Sequence, residues 1–293
     1  MVRRADRPTS QGRRRFLVGA GLGAAGLLAG GSVASAYRFE VVRMAAPLPA
    51  LASPVRVAWL CDLHYGPFIG ASTVSRWIDA ALLERPDVVL LGGDLVDYHV
   101  GPDIGPLLDQ IARLTAPLGV YAVWGNHDRW RFPDIAPFAR ALSERGVRVM
   151  VNRGAPLRDD LYLAGIDDVL AGDPDIGAAL DAAPARSATL LMSHNPDALP
   201  GVPTGVGLTL CGHTHGGQVC LPLIGPIVTG SKYGRRFVQG WVRGPARGYV
   251  SRGLGVSTLP VRVDCPAELT VLDLTPSSRA GRVPAGGREG APG

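Results

Sequence analysis

The chain is poor in the features that mark several classes of protein. It has four cysteines in 293 residues, too few for a disulfide-dense scaffold, and no pair shows the Cys-x-x-Cys spacing of zinc or redox sites. Charged residues make up only 19% of the chain and hydrophobic ones 46%, which excludes a charge-swollen disordered protein and supplies a substantial core. No internal repeat of solenoid or propeller length is present. The body of the chain also lacks any excess of positive charge. Six arginines (Arg3, Arg4, Arg7, Arg13, Arg14, Arg15) and one acid, Asp6, fall within residues 1–36 and account for the whole formal charge of +5. The remainder is neutral, so no general polyanion surface and no specific nucleic acid partner is expected.

The amino terminus reads as an address. Arg13-Arg14-Arg15-Phe16-Leu17 resembles the twin-arginine export signal, and a charge-free run from Phe16 to Ala36 follows, with small residues at Ala34-Ser35-Ala36 suited to cleavage. The run also approaches the ~20 residues of a spanning helix. Residues 1–36 are therefore expected to be a signal peptide or a membrane anchor, with the twin-arginine translocation machinery as a partner and the periplasm or cell envelope as destination. Gly21-Leu22-Gly23-Ala24-Ala25-Gly26 satisfies the dinucleotide-binding pattern, but it follows a basic cluster, not a strand, and reads as coincidence.

Residues 37–54 read as an extended lead-in broken by Pro47, Pro49 and Pro54, and 276–293 as a Pro/Gly/Ser/Arg-rich disordered tail. Between them, residues 55–275 form the expected catalytic domain. Short apolar runs (Val55 to Leu60, Val88 to Leu91, Val120 to Trp124, Val147 to Val151, Leu161 to Gly165, Thr189 to Ser193, Leu208 to Cys211) alternate with helical periodicity over Ser72 to Arg85, Ile104 to Leu114 and Ile135 to Arg145. The pattern predicts an α/β layered domain with buried sheets.

Polar residues follow several of these runs: Asp62-Leu63-His64, Gly93-Asp94, Gly125-Asn126-His127-Asp128, His194 and Gly212-His213-Thr214-His215. Five of the six histidines fall in this series. Carboxylate, imidazole and amide donors suit Mn, Fe, Zn or Co better than Ca, and seven of them are too many for one tetrahedral zinc. They suit two adjacent ions, with Asp94 able to bridge through its two oxygens. Residues two apart in an extended strand end share a side, so Asp62 with His64, and His213 with His215, are expected to converge.

These blocks resemble the calcineurin-like metallophosphoesterase family, whose pattern is D-x-H, G-D-x-x-D, G-N-H-[D/E], H and G-H-x-H. Asp97 supplies the second aspartate of the second block. His194-Asn195-Pro196-Asp197, Gly216-Gly217-Gln218 and Ser251-Arg252-Gly253-Leu254-Gly255 further resemble a bacterial cell-envelope branch of that family. The resemblance implies a four-layer α/β/β/α sandwich, with Asp62, His64, Asp94 and His215 on one metal and Asp94, Asn126, His194 and His213 on the other. It implies hydrolysis of a phosphoester substrate, a diester in preference to a monoester, by metal-activated water. His127 is left to act on the phosphoryl charge or the leaving oxygen, and Asp128 either to orient that imidazole or to cap a helix. The rival reading is a catalytically silent metal-binding scaffold, which would often have lost Asn126 and His127.

Among the remaining polar residues, His99 reads as a loop residue and Arg252 as a structural ion pair. Arg129 and Arg131 flank Trp130 at a helix start, where they could instead meet phosphate. Gln218 reads as shaping the loop beside His215, and Cys61 and Cys211 as facing the core.

Overall fold

The computed structural model describes residues 35–277. Residues 1–34 of the expected signal or anchor over 1–36, with the glycine motif, and residues 278–293 of the expected tail over 276–293 lie outside the described residues, while Pro276 and Ser277 belong to the last strand. Among those described, no helix is long and apolar enough to cross a membrane.

In chain order the elements are β1 (Phe39–Pro49), β2 (Val55–Leu60), α1 (Ala71–Leu83), β3 (Val88–Leu91), α2 (Gly105–Ile111), β4 (Val120–Ala122), α3 (Asn126–Arg131), α4 (Ala136–Ser143), β5 (Val147–Val149), β6 (Arg153–Arg158) and β7 (Leu161–Gly165). There follow α5 (Ile176–Leu180), β8 (Ala188–Met192), β9 (Leu208–Cys211), β10 (Cys220–Leu221), β11 (Gly225–Pro226), β12 (Gly240–Arg243), β13 (Arg247–Val250) and β14 (Ala267–Ser277). One six-stranded sheet has the order β1-β14-β2-β3-β4-β5 and the other β12-β13-β9-β8-β7-β6, while β10 and β11 form a small hairpin.

Side-chain alternation builds the layers. Val57 and Trp59 of β2 and Val88 and Leu90 of β3 meet Leu163, Leu190 and Leu210 of the second sheet in a common core. The alternate residues Ala58, Leu60, Val89 and Leu91 pack instead against Val74, Trp77 and Ile78 of α1, Leu107 and Ile111 of α2, and Phe138 of α4. On the far face of the second sheet, Tyr162, Ala164 and Leu191 pack on Ala179 of α5. The result is the α/β/β/α sandwich. A strand buried on both faces needs an unbroken apolar run, which Val-Val-Leu-Leu in β3 provides.

The extended lead-in is an edge strand. β1 pairs in parallel with β14 from Phe39 opposite Ala267 to Pro49 opposite Ser277, and buries Ala46 and Leu48 between the sheets. Its prolines are tolerated because one side of an edge strand needs no ladder partner. β14 runs antiparallel to β2, with Thr270 opposite Trp59, so β1 and β14 both begin at the edge where β2 ends.

Candidate metal centre

All five motif blocks lie just beyond carboxyl ends of parallel strands. Asp62 and His64 follow β2, Asp94 follows β3, Asn126 opens α3 after β4, His194 follows β8, and His213 and His215 follow β9. The convergence does not come from strand alternation, as the spacing suggested. Asp62, His64, Asp94, His213 and His215 have left-handed backbones, with φ of 56°, 48°, 49°, 72° and 52°. Asp and His tolerate this region better than most residues, although each such turn costs on the order of 1 kcal/mol or more. Neighbouring hydrogen bonds hold the turns: the Asp62 amide donates to Gly93 O at 3.0 Å and the His64 amide to Asp94 O at 2.9 Å. Gly125 and Gly253 leave room for the carboxylates, since a Cβ on the first would strike Asp94 and on the second Asp62.

Two clusters result. His64 Nε2 lies 3.0 Å from His215 Nε2, and His215 Nε2 lies 3.6 Å from Asp62 Oδ1. His213 Nδ1 lies 3.3 Å from His194 Nε2. Asp94 Oδ2 stands between the clusters, 3.4 Å from His64 Nε2 and 3.3 Å from His194 Nε2. Asp62, His64 and Asp94 are almost wholly buried, as are Asn126, His194 and His215. Asp62 Oδ2 and Asn126 Oδ1, both buried, have no hydrogen-bond partner among the described residues. Acceptor atoms that face one another in a dry site call for cations. The donor set therefore fits two divalent ions of borderline hardness.

The electrostatics agree. Burial disfavours the Asp94 charge, yet the imidazoles of His194, His64 and His127 hold its carboxyl well below the usual carboxylate range. Burial likewise opposes a charged His194, but Asp94 and Asp62 raise it well above an ordinary histidine. His215 is pushed far down by burial and by His64.

A calcineurin-like phosphoesterase domain matches residues 55–217. Among curated proteins, the uncharacterized metallophosphoesterase YkuE of Bacillus subtilis is 30% identical over 282 residues, which cover 89% of this chain and 97% of that relative. The chain belongs to the calcineurin-like phosphoesterase family. The phosphodiesterase YaeI of Escherichia coli is 32% identical over 231 residues, covering 76% of this chain and 83% of YaeI. A solved dimetal phosphatase from Danio rerio superposes with a TM-score of 0.45 at 13% identity, covering 76% of this chain and 99% of that one. The protein is a metal-dependent phosphoester hydrolase, and its family works with two divalent metals.

The surroundings of this phosphoesterase site assign the other polar residues. His194 Nδ1 lies 2.8 Å from Gly92 O, which fixes its ring and leaves Nε2 for the site. Asp97 faces two rings, with Oδ2 3.6 Å from His64 Nδ1 and 3.7 Å from His127 Nδ1. The Tyr98 amide donates to His127 Nδ1 at 3.1 Å. Asp128 does not orient His127, which corrects one of the two readings of that residue. Its carboxylate accepts from the amides of Val96 at 3.1 Å and Gly125 at 3.0 Å, bracing the loops that carry Asp94 and Asn126. Burial pushes this carboxyl up to about 7.

Arg129 pairs with Asp167, 2.5 Å from Nη2 to Oδ2, and Arg252 with Glu268 and Glu40, so neither is a free phosphate ligand. His99 is a surface side chain beside Asp97. Gln218 spends its amide on Ser257 and Leu259, while lining the cavity beside His215. Cys61 and Cys211 are buried as expected.

Sequence reasoning missed two residues. Asp168 is fully buried with Oδ2 unpartnered among the described residues, and it follows β7 just as the motif residues follow their strands. That repeated placement was a usable signal. Arg262 had none. Among the described residues its buried guanidinium has no acidic partner, and it donates instead to Gly255 O at 2.7 Å, Arg252 O at 2.8 Å and Cys265 O at 3.1 Å, with His215 Nδ1 3.3 Å away.

Proposed function

We propose that the protein hydrolyses a phosphodiester, with Asp62, His64, Asp94 and His215 around one divalent ion and Asp94, Asn126, His194 and His213 around the other. The reading is carried by Asp94 Oδ2, set almost equally, 3.4 and 3.3 Å, from imidazoles of both clusters. When bound, the ions (Mn, Fe, Zn or Co) neutralise phosphoryl oxygens and acidify an attacking water. His127 supplies a donor. Its Nδ1 accepts the Tyr98 amide, so the tautomer assigned to the neutral ring carries its proton on Nε2, free to reach a phosphoryl or leaving oxygen. Burial lowers the His127 pKa and favours that neutral ring. Asp97 and Gly92 O keep His64 and His194 in ligating orientation.

A diester substrate is favoured by the likeness to YaeI, named a phosphodiesterase. The arginine-led residues 1–36 support delivery by the twin-arginine machinery to the periplasm or cell envelope, with membrane association if that segment is retained.

The test loads the purified full chain with each ion in turn and assays bis-p-nitrophenyl phosphate against p-nitrophenyl phosphate, with metal analysis. The expected result is about two ions per chain and faster diester cleavage. Absence of turnover with every ion, together with absence of bound metal, overturns the proposal.

A further inference from the structure

The metal centre opens on one side into a cavity of about 550 Å³ whose walls are largely apolar. Asn126, His127, His213 and His215 form its metal-side end, while Trp130, Leu170, Val219, Ile227 and Val228 give the rest its apolar surface, alongside Thr214, Gln218, Ser257 and Thr258. Val219 before the short hairpin β10–β11 and Ile227 and Val228 after it supply one wall, and the hairpin and the segment after it carry unusual surface. Leu223 is 108% exposed, Val228 69% and Ile227 59%. Several aliphatic side chains left in water beside an active site are costly unless something apolar covers them. Basic groups flank them: Lys232, Arg235 and Arg236 are exposed, and the Arg235 guanidinium lies against Gly225 at the hairpin turn.

A second observation concerns where the chain enters. β1 begins opposite Ala267, at the edge where β2 delivers Asp62. The Gly253 carbonyl beside Asp62 accepts the amide of Glu268 at 2.9 Å. Ala36 is buried in the helix-side core, and the Ser35 hydroxyl donates to the Arg262 carbonyl. The described fold therefore begins, at Ser35, on the metal-site edge.

From these features we infer that the natural substrate is an amphipathic phosphodiester, bearing a long alkyl or acyl chain that occupies the apolar cavity while its phosphate meets the metal centre. The inference rests on the proposed phosphodiesterase activity. In the reaction the oxygen of water forms a bond to phosphorus, the P–O bond to the leaving group breaks, and the leaving oxygen takes up a proton. The products are a phosphomonoester and an alcohol.

The experiment uses the full chain loaded with Mn and a series of p-nitrophenyl alkyl phosphates from methyl to octyl, each kept below its micelle concentration. Because a buried methylene is worth about 0.8 kcal/mol, kcat/KM is expected to rise more than tenfold along the series. In Ile227→Asp and Val228→Asp the octyl-to-methyl ratio collapses toward one, a readout that is independent of each variant's absolute rate. Turnover of the methyl ester with no gain at octyl overturns the inference and leaves phosphodiester hydrolysis standing. A gain that persists undiminished in both variants overturns the placement of the chain in this cavity. Failure to cleave any diester with any ion removes the proposed function and this inference with it.

Discussion

At the scale of single residues, the centre is an arrangement of acceptors whose orientation is set from behind. His127 is the motif histidine whose proposed task is donation to substrate. His127→Ala is therefore expected to lower kcat by about 10² to 10³-fold with bound metal unchanged, and His127→Gln to restore part of the loss through its amide donor. Metal analysis beside steady-state kinetics checks both. Asp97 acts through other residues, standing 3.6 Å from His64 Nδ1. Asp97→Asn is expected to weaken metal affinity by about 10 to 100-fold, read by competition with a chelator, whereas His99→Ala leaves it unchanged. The histidines were legible because each follows an apolar run, and His99, which does not, proved a surface residue. Arg262 was illegible because its partners are backbone carbonyls, which no sequence pattern marks.

At the scale of elements, the turns after the strands do more than connect. Five motif residues adopt positive φ, and conformations of this kind persist only where neighbours over-determine them. Arg262 is one such neighbour, binding together Arg252, Gly253 and Gly255 of the loop that wraps Asp62. Arg262→Leu strands several buried carbonyls and should cost about 3 kcal/mol or more. For a chain of this size that corresponds to a fall in Tm of about 6 °C or more, measurable by calorimetry on metal-free protein. Gly253→Ala is expected to reduce metal occupancy, because φ at this position is +65° and the added methyl meets Asp62.

At the scale of the whole molecule, the legible strands were those buried on both faces. Val55–Leu60, Val88–Leu91, Leu161–Gly165 and Leu208–Cys211 have the bounds read from their apolar runs, since a central strand of a layered sheet is apolar at nearly every position, Arg56 and Thr209 being the exceptions. Among the strands that escaped notice, the edge strand β12 is Gly-Trp-Val-Arg and its inner neighbour β13 Arg-Gly-Tyr-Val, in which glycine and arginine interrupt the pattern. β1 was obscured by its prolines. The double-sheet core makes a chemical prediction as well. Burial pushes the Cys61 thiol well above its ordinary value and Cys211 likewise, which disfavours the reactive thiolate through mildly alkaline pH. Both should resist iodoacetamide in the native protein at pH values where free cysteine is alkylated, and react once denatured. Mass spectrometry of the labelled peptides distinguishes the outcomes.

The parallel pairing of β1 with β14 sends the two ends of the fold in opposite directions, one from the cleft edge and the other from the far side of the sandwich. For anyone attaching a dye, an affinity handle or a solid support, the two termini are not equivalent. A handle joined after Ser277, where β14 ends, leaves the cleft unobstructed and turnover of a small diester intact. The same handle placed immediately ahead of Phe39 crowds the mouth and slows it.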